Sequence, residues 1–145
     1  MRHWDGEAES LNLQKKILIV DDNEDSRELV IKVLKQSGYQ IVQAVDGEEA
    51  LARVASEKPD LILLDRSLPK MDGLEVARRL KGNAKTSNIP IVALTAHVMR
   101  GDREKALAAG CDGYIPKPIN VRTLAEQVRL HLESSSGSSA GGENE

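Results

Sequence analysis

The sequence is poor in aromatic residues and in cysteine. Its 145 residues include no phenylalanine, two tyrosines and one tryptophan, so the core must be built from aliphatic side chains. The single cysteine, Cys111, excludes an internal disulfide and is typical of a reducing compartment. A small residue at the edge of the core is the simpler interpretation of Cys111.

The sequence also lacks a strong charge and a long apolar stretch. The formal net charge is −3, so nothing indicates a nucleic-acid-binding surface. No stretch has the length and apolar character of a membrane span, and residues 1–16 contain no hydrophobic signal-peptide region. We therefore expect a single-domain cytoplasmic protein without nucleic-acid or membrane partners.

The two ends differ in composition from the middle of the chain. Residues 1–15 are polar and mixed in charge, with Trp4 alone among hydrophilic neighbours, and they read as a loosely held leader. Residues 133–145 are rich in serine and glycine, a composition typical of a disordered tail. The folded domain is predicted to span residues 16–132.

Strand and helix signals alternate through this domain. Short apolar runs closed by turn residues are typical of strands buried on both faces of a parallel sheet. Five strands are predicted, at residues 17–20, 41–45, 61–64, 89–94 and 113–115. Strands that alternate with helices in this way predict an α/β fold, in which right-handed crossovers cover both faces of a five-stranded parallel sheet.

Local signals set the boundaries of the helices between these strands. Asp46 followed by Glu49 forms a capping box, and Asp72 is placed to cap a helix over residues 73–81. The first helix is predicted over residues 26–36 and the fourth over about 98–109. Asn120 can cap the last helix, and its apolar face is formed by Val121, Leu124, Val128 and Leu132.

Polar residues follow four of the strands, where the carboxyl ends of a parallel sheet bind ligands. Asp21 and Asp22 follow the first strand and Asp65 the third. Thr95 follows the fourth strand and Lys117 the fifth. Three clustered carboxylates need a cation between them, and an oxygen-only set suits Mg²⁺. Carboxylates, a metal, a hydroxyl and an ammonium around one point are suited to phosphoryl transfer to an aspartate, which forms an acyl phosphate.

The chain resembles response-regulator receiver domains over almost all of residues 16–132. The resemblance is carried by the acidic pair in residues 20–23, by Leu64 and Asp65 with the turn that follows, and by the segments 94–96 and 114–118. Each fragment alone is a weak signal, but their order and separations together are specific. The resemblance implies a doubly wound, flavodoxin-like fold with strand order 2-1-3-4-5. It is nearest to single-domain regulators of the chemotaxis and cell-division types.

The resemblance implies a role for each site residue. Asp65 would be the phospho-acceptor, and Asp22 and Asp65 would bind Mg²⁺ with the backbone carbonyl of Ser67, while Asp21 acts mainly through water. Lys117 would pair with the phosphoryl group. The Lys117–Pro118 peptide bond would be cis. As a switch, Thr95 would move toward the phosphoryl group and Tyr114 would follow it inward.

Plainer interpretations exist for most of these residues. Asp21 could only favour a helix start, Thr95 could be an ordinary strand residue, and Lys117 could be a solvated lysine. Tyr114 could be a half-buried aromatic whose hydroxyl faces water. Asp72 is expected to be a structural N-cap.

Three positions beside the site are unusual or modulating. In the family, the positions of Ser67 and His97 flank the path of water to the acyl phosphate, and neither residue here offers an amide or a carboxylate to orient that water. We therefore expect slow spontaneous loss of phosphate. Arg66 stands where an apolar or small residue is common, and its two candidate contacts are a partner protein and the acids of the site.

The resemblance favours a signalling receiver that takes its phosphoryl group from a phosphohistidine of a sensor kinase or phosphotransfer protein. No effector segment follows residue 132, so we expect output through contact of a protein target with the fourth helix, fifth strand and fifth helix. A phosphohydrolase would need a second acid at Ser67. A phosphate-independent scaffold would lack an acid, hydroxyl or lysine. A flavin-binding module would need a glycine- and hydroxyl-rich loop after the first strand.

Overall fold

The computed structural model describes residues 15–96 and 101–141, and side chains as far as residue 133. Within these residues strands and helices alternate strictly. The strands are β1 (Lys16–Val20), β2 (Gln40–Ala44), β3 (Leu61–Asp65), β4 (Ile91–Thr95) and β5 (Gly113–Pro116). The helices are α1 (Glu24–Gln36), α2 (Gly47–Glu57), α3 (Gly73–Lys81), α4 (Asp102–Ala108) and α5 (Val121–Gly141).

All five strands are parallel, in the order β2-β1-β3-β4-β5. This order confirms the predicted doubly wound α/β fold. β3 and β4 are buried along their whole length, as their unbroken apolar sequences predict. The carboxyl ends of β1 and β3 are neighbours, so the residues that follow them lie at one edge of the sheet.

Alternate residues of the strands build an aliphatic core on each face of the sheet. Leu18 and Val20 face the cluster formed with α2, α3 and α4, and Ile17 and Ile19 face the cluster formed with α1 and α5. Cys111 is buried in the first cluster, which confirms its simpler interpretation, and burial raises the pKa of its thiol to about 11.

Helix capping follows the predicted signals closely. The Asp46 carboxylate accepts a hydrogen bond from the Glu49 N–H at 2.8 Å, and Glu49 Oε1 accepts one from the Val45 N–H at 2.9 Å. The Asp72 carboxylate accepts from the Leu74 N–H at 3.2 Å, which confirms its role as an N-cap. Helix α1 begins earlier than predicted, at Glu24, because the Asn23 side chain caps it.

The apolar face of α5 is only partly as predicted. Leu124 and Val128 are fully buried, and Leu132 packs against the same cluster, but Val121 is 44 % exposed. The prediction for Val121 was therefore wrong. Helical side chains lean toward the preceding turn, and Val121 is the first residue of its helix, so no preceding turn lies beneath it.

Other boundaries shift by a few residues. β4 begins at Ile91, after Pro90, and the described part of α4 begins at Asp102. Helix α5 continues to Gly141, past residue 132 where the sequence placed the end of the domain. The domain boundaries and the disorder of the tail stay predictions. Trp4 lies outside the described residues. Across the described ranges, no helix is long and apolar enough to cross a membrane.

Candidate functional site

Three carboxylates meet at the carboxyl ends of β1 and β3. Asp21 follows β1 directly and Asp65 is the last residue of β3. One oxygen from each of Asp21, Asp22 and Asp65 lies within 4.8 Å of the others. Asp21 is fully buried, Asp65 is 4 % exposed and Asp22 faces solvent. The predicted acidic cluster is therefore present, with one side open to water.

Lys117 supplies the positive charge of the cluster. Its Nζ lies 3.1 Å from Asp21 Oδ2 and 3.5 Å from Asp65 Oδ2, and its side chain is only 16 % exposed. The Lys117 N–H donates to the Thr95 carbonyl at 2.7 Å, which fixes the lysine against the end of β4. Lys117 is thus not a solvated surface lysine. The predicted cis bond between Lys117 and Pro118 is confirmed.

Burial sets the protonation of Asp65. Loss of solvent raises the pKa of its carboxyl to about 6; the Ser67 N–H and the Lys117 charge lower it, and the neighbouring Asp21 raises it. The Ser67 N–H donates to Asp65 Oδ1 at 3.1 Å and so orients the carboxylate. Burial disfavours the charged form of this carboxylate, which faces a lysine. A further bound cation, or the transfer of a group to the carboxylate, would therefore stabilise the site.

The turn after Asp65 is held tightly by backbone contacts. The Arg66 N–H donates to the Leu94 carbonyl at 2.9 Å, and the Gly73 N–H donates to the Arg66 carbonyl at 3.1 Å. A Cβ atom at Gly73 would lie 2.4 Å from the carbonyl oxygen of Asp65, a distance that atoms do not tolerate. Glycine is therefore required where α3 begins, because the helix starts against the backbone of Asp65.

The donor set of the cluster fits a hard divalent cation. The described residues place three carboxylates together without a histidine or cysteine ligand, the pattern that suits Mg²⁺ better than Zn²⁺. The Asp22 carboxylate is exposed to solvent, so it can release its bound water and bind a metal ion. One oxygen of Asp21 accepts from the Asn23 N–H at 2.9 Å and the other faces Lys117.

Comparison with known proteins identifies the family. Residues 17–129 match the model of the response regulator receiver domain. The chain belongs to the response-regulator receiver family. It is a signalling protein of two-component systems and not a conventional enzyme, and such receivers work with histidine kinases.

Individual receiver proteins are similar to this chain in sequence or in structure. The polar-differentiation response regulator DivK of Brucella anthropi is 39 % identical over 120 residues, which are 83 % of this chain and 98 % of DivK. The chemotaxis response regulator CheY4 of Vibrio cholerae has 31 % identity and a TM-score of 0.76, over 80 % of this chain and 97 % of CheY4. A CheY-like receiver domain protein from Methanospirillum hungatei has 30 % identity and a TM-score of 0.79, over 86 % and 98 % of the two chains.

Thr95 and Tyr114 of the receiver lie on adjacent strands. Thr95 is the last residue of β4 and is fully buried. Tyr114 lies in β5 opposite Ala93, is half-buried and packs against the core cluster of α2, α3 and α4. Thr95 therefore lies at the carboxyl end of β4, beside the strand that carries Tyr114. Their movement stays a prediction, and His97 lies outside the described residues.

Arg66 pairs with a residue that the sequence did not suggest; a contact with a partner protein stays a prediction. Its Nη1 donates to Oδ1 of Asp102, the first residue of α4, rather than to the acids of the site. Asp102 was not predicted from sequence, although an acid after Gly101 in the first turn of a helix is a recognisable signal. Arg27 was also missed: its Nη1 donates to the Asp21 carbonyl at 2.8 Å and ties α1 to the receiver site.

Proposed function

We propose that Asp65 is the residue that receives the phosphoryl group, from a phosphohistidine of the partner kinase or of a phosphotransfer protein. One observation carries the proposal: the buried Asp65 carboxylate lies between the Lys117 ammonium and two further carboxylates at the open end of the sheet. An oxygen of Asp65 attacks phosphorus, the bond from phosphorus to the imidazole nitrogen breaks, and the histidine leaves with the electron pair. The product is an acyl phosphate.

The surrounding residues act on charge and orientation. The Ser67 N–H holds one oxygen of Asp65, which leaves the other for attack. Lys117, at 3.5 Å from that other oxygen, can pair with the phosphoryl oxygens of the product. Asp22 and Asp65, with the Ser67 carbonyl as a third ligand and Asp21 mainly through water, would hold Mg²⁺, whose charge offsets the repulsion between the carboxylate and the phosphoryl group.

The response to phosphorylation follows from Thr95 and Tyr114. We propose that the Thr95 hydroxyl turns toward the phosphoryl group and that Tyr114 moves inward after it, which changes the surface of α4, β5 and α5. A protein target on that surface is the proposed output, in the cytoplasm. Neither Ser67 nor His97 has an amide or carboxylate that could orient water toward the acyl phosphate. This supports slow loss of phosphate.

Intact mass after incubation with acetyl phosphate and Mg²⁺ tests the proposal. Wild type should gain the mass of one phosphoryl group, and the gain should vanish with EDTA and in Asp65→Asn. Asp60→Asn is the matched control, because Asp60 lies just before the opposite end of β3 and accepts from the Lys16 N–H at 2.7 Å, as an amide also can. Labelling of Asp65→Asn at the wild-type level would contradict the assignment.

If acetyl phosphate gives no adduct, the same comparison is made with a phosphorylated histidine donor. Transfer from that donor to wild type, but not to Asp65→Asn, would support the proposal. Absence of transfer from both donors would refute the proposal that Asp65 receives a phosphoryl group. The fold would then serve only as a docking module.

A further inference from the structure

Within the described residues, helix α4 buries smaller apolar side chains than α1 and α5 do. Its buried apolar contribution comes from Ala106, with Ala109 just after its end, whereas α1 and α5 bury leucine and valine. Leu107, its largest apolar residue, is 46 % exposed. An alanine removes little apolar area from water, so burial stabilises the position of α4 less than that of α1 and α5.

The Arg66–Asp102 ion pair is a second anchor for α4. It joins the residue that follows β3 to the first residue of α4, and the two side chains are 17 % and 10 % exposed. Gly101, before the helix, provides no side-chain cap. The start of α4 is therefore held by a charged contact in a poorly hydrated place, where such contacts are stronger than at the surface.

The other end of this contact adjoins Asp65. The backbone of Arg66 is fixed by hydrogen bonds with Leu94 and Gly73, so its side chain is the part that can move. Neighbouring Cα atoms are about 3.8 Å apart, and the arginine side chain is longer than this spacing. The side chain is therefore long enough to reach a group attached to the neighbouring Asp65.

We propose that the Arg66–Asp102 pair is a latch on α4 that phosphorylation of Asp65 opens. The inference rests on the proposed function. The new phosphoryl group carries more negative charge than a carboxylate, and it draws the Arg66 guanidinium, a bidentate donor suited to phosphate, away from Asp102. Helix α4 then loses this ion pair and shifts, which adds a route from Asp65 to α4 independent of Thr95 and Tyr114.

The latch predicts an order of affinities that a purely structural ion pair does not. For the pair to open, the interaction of Arg66 with the phosphoryl group must be stronger than its interaction with Asp102. Asp102→Asn removes the carboxylate that competes for Arg66 and should tighten binding of a phosphoryl analogue. The double variant Arg66→Met/Asp102→Asn has no guanidinium to offer and should bind more weakly than wild type. It also leaves no buried unpaired charge, which favours folding.

Beryllium fluoride with Mg²⁺ is the probe, and its dissociation constant is measured by calorimetry. We expect Asp102→Asn to bind tightest, wild type next and the double variant weakest, with steps of about 5-fold or more, the lower end of typical couplings between sites. Hydrogen exchange over residues 102–108 should be slow in wild type alone. It should be fast in wild type with the probe and in Asp102→Asn without it.

Two results would overturn the latch. Equal affinities of Asp102→Asn and the double variant would show that Arg66 does not reach the group on Asp65, and equal affinities of wild type and Asp102→Asn would show that Asp102 does not compete. Failure of the proposed function looks different: wild type then binds no probe, and the intact mass shows no phosphoryl adduct on any of these proteins.

Discussion

Replacement of Asp65 by asparagine should stabilise the receiver at neutral pH in the absence of Mg²⁺. Burial raises the pKa of the Asp65 carboxyl from 3.8 to about 6, so the folded protein binds this proton more tightly than the unfolded chain does. The stability gained from the proton is complete below pH 3.8 and is lost as the pH rises through 6. At pH 7 the charged carboxylate therefore costs the folded state free energy that an amide does not.

The magnitude follows from the size of the change in pKa. One pKa unit corresponds to about 1.4 kcal/mol, so the rise from 3.8 to about 6 corresponds to about 3 kcal/mol at pH 7. Part of this cost is already present at pH 4, where the unfolded carboxyl is half ionised. The difference in unfolding free energy between Asp65→Asn and wild type should thus grow by about 2 kcal/mol from pH 4 to pH 7.

Urea unfolding followed by circular dichroism, in EDTA at several pH values, measures this difference. The comparison across pH cancels contributions that do not titrate, such as altered packing of the amide. Glu28→Gln, which removes a carboxylate at an exposed position within α1, is the control. Added Mg²⁺ should stabilise wild type more than Asp65→Asn. A difference between Asp65→Asn and wild type that stays constant from pH 4 to pH 7 would refute the reasoning.

Four further substitutions test the packing of the fold and the charges of the site. Gly73→Ala should destabilise the fold by about 1–3 kcal/mol in urea unfolding, because the added Cβ meets the Asp65 carbonyl at 2.4 Å; unchanged stability would contradict the close approach. Leu124→Ala should cost about 2–5 kcal/mol, whereas Val121→Ala, at a 44 % exposed position, should change the same measurement little, and equal losses would contradict the described face of α5. Lys117→Met should lower thermal stability at pH 7 through the uncompensated buried carboxylates, and Mg²⁺ should restore part of the loss; a melting temperature equal to that of wild type would argue against the lysine as their counter-ion.

A further prediction concerns the lifetime of the phosphorylated receiver. Ser67→Asn combined with His97→Glu should shorten the life of the acyl phosphate, since the new side chains can orient water. The decay of the intact-mass adduct measures this, and the same decay rate in wild type and variant would contradict the expectation.

Much of the fold could be predicted from the sequence because its strands are short, apolar and closed by turn residues. The five strands appear within two residues of their predicted starts, and the site acids lie where the ends of β1 and β3 meet. Short-range signals such as the Asp46 capping box also hold, because all their atoms come from neighbouring residues.

Two features that the sequence did not reveal depend on contacts between residues far apart in the chain, and one failed prediction has a local cause. The pairing of Arg66 with Asp102 spans 36 positions and leaves no periodic mark in the sequence. The requirement for Gly73 arises from the path of the chain after β3, which only the folded backbone reveals. Val121 has the spacing of a buried stripe but lies in the first turn of its helix. At that position the spacing alone does not ensure that the side chain is buried.

The scarcity of aromatic residues gives each face of the sheet its own native spectroscopic probe. Tyr39 is buried in the cluster with α1 and α5, while Tyr114 packs on the cluster with α2, α3 and α4. In a Trp4→Phe background, tyrosine fluorescence would come from these two residues alone. Single Tyr→Phe changes would then let the two halves of the core be followed separately during unfolding, without any introduced label.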